Sequence, residues 1–368
     1  MIDLIPHLPF RGPTQLVRLL LGAVAAVGTV AVLATAAAAA EAATGSSDLP
    51  PRSAAEPDLA RRQQALARAG AAVVGIEVTA VEHASSIETL GRARSGSGVV
   101  IDGDGLVLTI GYLVLEADHV DLLLEGPRRV PARVVAYDVA SGFGLLQALA
   151  PLLLQPAPLG NSSAVAGDDP LLIASGGPDG DLSVARMVSR RPYSAYWEYH
   201  LDDALFTAPA RIDHSGAGLF NADGELIGIG SLVVSDAAGT AAPPLRGNMF
   251  VPVDLLKPIL AELRSGAVAS NRSRAWLGLS CVEFGGHLRV LRLAPSGPAH
   301  EAGLQPGDLV IAIDGVEVSD LRTFYKTLWR AAPAARAVAL EVRRGRETMR
   351  LNVQAVDRMT TLRRPQGI

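Results

Sequence analysis

From about Ala69 onward the apolar positions fall into short runs bounded by Gly, Asp, Asn and Pro. "AGAAVVGIEVTAV" enters a strand from a short helix, and "SGSGVVIDGDGLVLTIGYLV" reads as two strands joined by a Gly-Asp-Gly turn. The runs "HVDLLLEG", "RRVPARVVAYD", "FGLLQAL", "DPLLIASG", "ARMVSRRPY", "ALFTAP", "AGLFN" and "ELIGIGSLVV" follow at a spacing of roughly ten residues. Strands this short and this regularly punctuated bury their apolar faces by packing sheet on sheet, so an all-β sandwich or barrel is expected. The period then changes. "PVDLLKPILAELRSG" spaces its apolar residues as a helix does, ends at Gly266 and closes the domain.

Two segments outside this pattern set the boundaries. Arg11 and Arg18 precede an uncharged apolar run from Leu19 to Ala40, and "AAAAAEAATG" then offers small-x-small cleavage positions. This is the layout of an export signal, and the run also approaches the ~20 residues that span a bilayer. Residues 1–43 are therefore expected to be a signal peptide or a retained inner-membrane anchor, and both place the rest of the chain in the periplasm. Residues 44–65, beginning "TGSSDLPPRSAAEPDLAR", read as a polar linker without a usable period, 66–266 as the strand-rich domain and 267–274 as a second linker.

Composition narrows the partners. With 49% hydrophobic and 19% charged residues and a formal net charge of -4, the chain is globular and gives no reason to expect nucleic acid. The single cysteine, Cys281, rules out an internal disulfide. No Cys/His cluster has metal-ligand spacing and no Gly-rich loop opens a helix in a βαβ unit, so neither metal nor cofactor is expected.

The second unit, 275–356, contains "SGPAHEAGLQPGDLVIAIDGVEV": a short helix, a Gly-Leu-x-Pro-Gly-Asp turn, a strand and an Asp-Gly hairpin. It resembles a PDZ domain of bacterial type, followed by a tail, 357–368. Three motifs of the first domain, "GSGVVIDGDGLVLT", "NADGELIGI" and "MFVPVDLLKPIL", resemble the HtrA/Deg family of trypsin-fold serine proteases. The resemblance implies a mainly β chain: a trypsin-like double β-barrel followed by an α+β PDZ domain, behind the export segment.

It also aligns three catalytic positions. The nucleophile segment is "DHSGA", keeping Ser215 but placing Asp213 where the family has the first glycine of its oxyanion hole. The position of the catalytic histidine falls on Tyr112, in "LTIGYLV", and that of the aspartate on Gly142, in "DVASGFGLL". A phenol with a pKa near 10 does not accept a serine proton as imidazole does, and glycine offers no carboxylate to orient a base. A carboxylate at Asp213 would oppose a developing oxyanion. Of the other histidines, His214 points away from its chain neighbour, His119 opens the following strand and His200 lies in an aromatic patch. Ser215 then reads as a turn residue whose hydroxyl satisfies local backbone.

The expected function is an inactive HtrA-like pseudoprotease, a scaffold or regulator in envelope protein quality control. The alternative is an active endopeptidase using Ser215 with a non-standard base. In PDZ domains successive backbone N–H groups capture a peptide's terminal carboxylate. The resemblance assigns that loop to Leu277, Gly278 and Leu279, with Phe324, Tyr325 and Leu328 walling the pocket. Expected partners are unfolded or C-terminal peptides of envelope proteins and, in an oligomer, active relatives. Tyr193, Tyr196, Trp197 and Tyr199 are left open between a binding or oligomer surface and loop packing.

Overall fold

A computed structural model describes residues 55–167, 169–266 and 272–363. The export segment read from Leu19–Ala40 lies outside the described residues. The first element is helix α1, Ala55–Ala71. It starts inside the segment expected to be linker, because Ala, Arg, Gln and Leu are strong helix formers even where no apolar period marks them. Ala65 and Ala69 on α1 are buried.

Six strands follow: β1 (Val73–Ala80), β2 (Ala93–Val100), β3 (Leu106–Ile110), β4 (Ala117–Leu123), β5 (Arg129–Tyr137) and β6 (Phe143–Ala148). They close an antiparallel barrel in the order β1-β2-β3-β6-β5-β4. One-turn helices α2 (Ile87–Leu90) and α3 (Gly111–Val114) interrupt the β1–β2 connection and follow β3. Every residue of β3 is buried, which explains why its sequence "LVLTI" does not alternate.

A second closed barrel is built from β7 (Pro170–Ala174), β8 (Leu182–Ala195), β9 (Tyr199–Ala208), β10 (Gly218–Phe220), β11 (Leu226–Val234) and β12 (Gly247–Pro252), in the order β10-β11-β12-β9-β8-β7. Helix α4 (Leu260–Arg264) ends the domain. A large apolar core runs from Ala69 to Leu263 through both barrels, and a second cluster, with Ile173, Leu205, Leu219, Ile227 and Phe250, lies in the second barrel. Ladder partners Tyr193↔Leu201, Ser194↔His200 and Ala195↔Tyr199 leave Tyr196, Trp197 and Glu198 as the tip of the long β8–β9 hairpin.

The C-terminal unit has strands β13 (Ala275–Trp276), β14 (Leu279–Phe284) and β15 (His287–Leu293), helix α5 (Pro298–Glu301), strands β16 (Leu309–Ile313) and β17 (Val316–Glu317), helix α6 (Leu321–Arg330), and strands β18 (Arg336–Arg344) and β19 (Glu347–Asp357). Its sheet runs β13-β19-β18-β16-β15-β14, with β17 on β16, and it encloses its own core. Asp320 caps α6 by accepting from Thr323 N–H at 2.8 Å. The segment after β19, expected to be a tail, returns to the first barrel, where Arg363 N–H donates to the buried Glu116 carboxylate at 2.9 Å.

Candidate functional site: a capped serine and an occupied carboxylate loop

Ser215 sits in the turn before β10, at the seam between the barrels. Its carbonyl accepts from Ser97 N–H on β2 at 2.8 Å, which fixes the turn against the first barrel. The next residue has to be glycine: Gly216 has φ +75°, and a Cβ there would stand 1.9 Å from the Ser97 carbonyl oxygen.

Across the seam α3 delivers Tyr112, whose phenol oxygen lies 2.7 Å from Ser215 Oγ and 2.8 Å from the Ser231 carbonyl oxygen. A carbonyl only accepts and a phenol has one proton, so Tyr112 donates to Ser231 and the Ser215 hydroxyl donates to the phenol oxygen. Burial pushes the Tyr112 phenol up to about 12, the bond to Ser215 opposing it. At pH 7 the phenolate fraction is then on the order of 10⁻⁵, too small to serve as a general base. The serine hydroxyl is thus held by the opposite barrel and not by local backbone, as its turn chemistry had indicated. Its partner lies 103 positions away in sequence, beyond the reach of local pattern.

No imidazole hydrogen-bonds Ser215 Oγ among the described residues. His214 turns its Nδ1 to the Ile212 carbonyl at 3.0 Å. His200 is held between Ser194 Oγ, 2.8 Å away, and Asp202, 3.2 Å away, on the β8–β9 hairpin, and burial pushes it down. His119 is exposed on β4 beside Asp121.

Behind Tyr112, Gly142 has φ +83°, and a Cβ there would approach the Tyr199 hydroxyl to 3.0 Å. Tyr199 fills this space and donates to the Ser141 carbonyl at 2.7 Å. The nearest carboxylate in sequence, Asp138, is 4% exposed and already committed. It accepts from Ser141 N–H at 2.9 Å and Ser141 Oγ at 2.5 Å, and both Arg272 Nε, at 2.9 Å, and Arg272 Nη2 donate to it. Arg272 comes from the linker ahead of the PDZ domain, so this buried pair ties that linker to the first barrel.

The Asp213 carboxylate is not a bare charge beside the serine, as its position alone suggested. Arg211, two residues upstream, grips it through Nε at 2.8 Å and through Nη2, and Ser175 Oγ donates at 2.5 Å. Burial opposes ionisation, but these donors outweigh it and hold the carboxyl below its usual range.

The second candidate site lies where β13 turns into β14. Gly278 has φ +75°, which aims successive amides to one side. Those amides already hold a carboxylate: Glu198 Oε1 accepts from Leu277 N–H at 2.8 Å and Oε2 from Gly278 N–H at 3.1 Å. Burial dominates and pushes the Glu198 carboxyl up to about 7 against these bonds. The Tyr325 hydroxyl, from α6, donates to the Ala195 carbonyl at 2.7 Å and accepts from Glu198 N–H at 3.0 Å. Of the three expected pocket walls, Tyr325 therefore contacts the occupant. Phe324 and Leu328, like Tyr325, are wholly buried in the PDZ core. Glu198 was missed in sequence because it comes from the other domain; its one signal was a lone carboxylate among four aromatics in "YSAYWEYH". Of those aromatics, Tyr199 packs with the barrel core, and Tyr196 and Trp197 pack edge-on at 4.7 Å at the hairpin tip.

Two antiparallel barrels meeting at a serine turn, followed by a PDZ sheet, define a protein of trypsin-like peptidase fold carrying a PDZ domain. Residues 96–229 match the trypsin-like peptidase domain family and residues 275–355 the PDZ domain family. The chain is 29% identical over 272 residues to a probable periplasmic serine endoprotease DegP-like from Hahella chejuensis, covering 69% of this chain and 55% of that protein. It is 30% identical over 282 residues to a protein of the same description from Pseudomonas fulva, covering 72% and 57%. With the serine endoprotease DegS of Haemophilus influenzae it shares 25% over 259 residues, covering 68% and 74%. An HtrA-type protease, a variant of AlgW solved with a tripeptide, superposes with a TM-score of 0.52 at 23% identity over 83% of this chain and 98% of that one, a likeness of fold. The chain carries a trypsin-like peptidase domain followed by a PDZ domain and is homologous to the DegP, DegS and HtrA serine endoproteases. It spans little more than half the length of the two DegP-like relatives.

Proposed function

We propose that this chain is a catalytically inactive member of its family, a pseudoprotease that works in the cell envelope as a peptide-binding scaffold or regulator. The observation that carries the reading is the contact between Tyr112 and Ser215 at 2.7 Å: the hydroxyl that would attack a peptide bond is bonded to a phenol that cannot take its proton. Loss of the base from a serine triad removes on the order of 10⁶ in turnover, and the absence of an oriented carboxylate adds little because triad members act as a unit.

Tyr112 stands at the position of the catalytic histidine in this reading, Gly142 at that of the aspartate, and Ser215 is the remnant nucleophile. Peptide binding passes to the Leu277–Leu279 amides, a reading supported by their present use as carboxylate donors. The relatives named periplasmic and the arginine-flanked apolar run Leu19–Ala40 favour an exported protein. Partners are exposed C-termini of damaged envelope proteins, or active relatives in a mixed oligomer.

Fluorophosphonate labelling and fluorogenic casein hydrolysis test the catalytic half. Neither labelling nor turnover is expected. Labelling that disappears in Ser215→Ala would overturn the reading in favour of an endopeptidase with an unusual base.

A further inference from the structure

The β8–β9 hairpin tip is laid into the PDZ domain as a peptide end would be. A C-terminal peptide adds a strand beside the sheet edge and sets its carboxylate on the loop amides. Here Cys281 N–H, on edge strand β14, donates to the Tyr196 carbonyl at 3.1 Å. Two residues later the Glu198 carboxylate reaches Leu277 and Gly278 N–H at 2.8 and 3.1 Å. Tyr325 of α6 closes the other side through Ala195 and the Glu198 amide. Strand edge, loop and helix are therefore all engaged by one short segment of the same chain.

We propose that Glu198 is a built-in ligand of the PDZ domain: its side-chain carboxylate stands in for a peptide's terminal carboxylate. An incoming C-terminus binds by displacing the hairpin tip, which releases the PDZ domain from the second barrel at this contact. The inference rests on the peptide-binding reading given above and specifies how that site is regulated.

Two features separate a displaceable occupant from a permanent strut. Glu198 adopts φ +58° at the last position of a three-residue hairpin loop, where glycine is the low-cost residue. A buried carboxylate is also a costly way to fix an interface, since an apolar tip of similar volume does so without desolvating a charge. Neither expense serves a strut, whereas a carboxylate is the group the loop is shaped to exchange. Tyr196 and Trp197, beside it, remain 48% and 41% exposed, so the tip is partly open to an arriving chain.

Exchange is pH-dependent on this geometry. Glu198 is held near 7 when docked and returns towards 4.5 when released, so the docked form binds the proton more tightly and loses ground as pH rises. Facing it are the Tyr325 phenol from α6 and the Cys281 thiol from β14, both pushed up by burial and neutral in this range, and the Arg358 guanidinium from the turn after β19. A peptide's terminal carboxyl, with an ordinary pKa near 3.5, stays ionised throughout.

The test uses the full chain, with fluorescence anisotropy of a fluorescein-labelled octapeptide ending in Ala-Tyr-Trp-Val as the free acid and as the amide. Wild type is expected to bind the free acid about tenfold more tightly at pH 7.5 than at pH 5.5. Glu198→Ala, which removes the occupant, is expected to bind at least tenfold more tightly than wild type at pH 5.5, and Glu198→Gln, the neutral counterpart of the protonated docked form, to bind as weakly as wild type at pH 5.5; neither variant should change much between the two pH values. The amide should bind none of them. Equal free-acid affinity in wild type and both variants would overturn the built-in ligand while leaving peptide recognition intact. Absence of free-acid binding in all three, with faster hydrogen exchange at Leu277 to Leu279 in the variants, would remove the peptide-binding function itself and make Glu198 a strut.

Discussion

Restoring the two aligned triad residues, Tyr112→His with Gly142→Asp, is expected to give a less stable protein and not an active one. At φ +83° an L-residue in place of Gly142 costs about 1–2 kcal/mol of backbone strain. Its Cβ would stand 3.0 Å from the Tyr199 hydroxyl and 3.2 Å from the Tyr199 ring, so Tyr199 has to move and its bond to the Ser141 carbonyl, worth about 1 kcal/mol, is at risk. The new carboxylate would enter a buried space beside Asp138, which already takes the Arg272 guanidinium, adding about 1–3 kcal/mol of uncompensated desolvation. Together these amount to about 3–6 kcal/mol, a fall in Tm on the order of 10 °C for domains of this size.

Activity is limited separately. The Asp213 carboxylate, fixed by Arg211 and Ser175 where the family has a glycine, is expected to impair the oxyanion hole, and one missing donor costs about 10²–10³ in turnover. Differential scanning fluorimetry with fluorogenic casein, run on the double variant and on its Ser215→Ala derivative, measures both effects. A double variant that melts within about 2 °C of the parent and shows Ser215-dependent turnover would refute the account of Gly142 and Asp213 alike.

Tyr112→Phe leaves the Ser231 carbonyl without its donor and is expected to lower stability by about 1–2 kcal/mol in urea unfolding, with fluorophosphonate labelling still absent. Arg272→Ala strands the buried Asp138 carboxylate and is expected to cost about 3 kcal/mol, with Asp138→Asn in the same background recovering much of it in thermal melts. Because the folded pKa of Glu198 is raised to about 7, its contribution to stability is fully present below about 4.5 and lost as pH rises through 7. The wild-type minus Glu198→Gln difference in unfolding free energy should therefore fall by about 3 kcal/mol between pH 4.5 and 8, while the opposing His200 and His214, both pushed down by burial, cancel in the difference. Gly278→Val is expected to abolish free-acid peptide binding, and also to destabilise the PDZ domain, since a Cβ at φ +75° would meet the Trp276 ring at 3.0 Å; circular dichroism melts separate the two effects.

Much of the fold was legible in the sequence because its signals are local. Strand runs, Gly-Asp turns and the Pro-Gly-Asp turn of the PDZ domain specify backbone geometry within a few residues, and the double-barrel-plus-PDZ architecture follows from them and from the family motifs. The serine turn was legible for the same reason, since Gly216 is demanded by its own φ. Helix α1 was not fully legible, because its helix formers carry no apolar stripe at the end where it begins.

The partners of the buried polar groups were decided by tertiary structure alone. Ser215 is joined to Tyr112 across 103 positions, Asp138 to Arg272 across 134 and Glu198 to Leu277 across 79. Sequence spacing says nothing about which distant element brings a donor to a buried acceptor, yet the cost of leaving either unpaired makes that choice decisive. The residue types at the two sites were thus fixed by the sequence. That the serine is capped and the PDZ loop already filled was fixed by how two barrels and a third domain pack, because only packing decides which polar group each buried one meets.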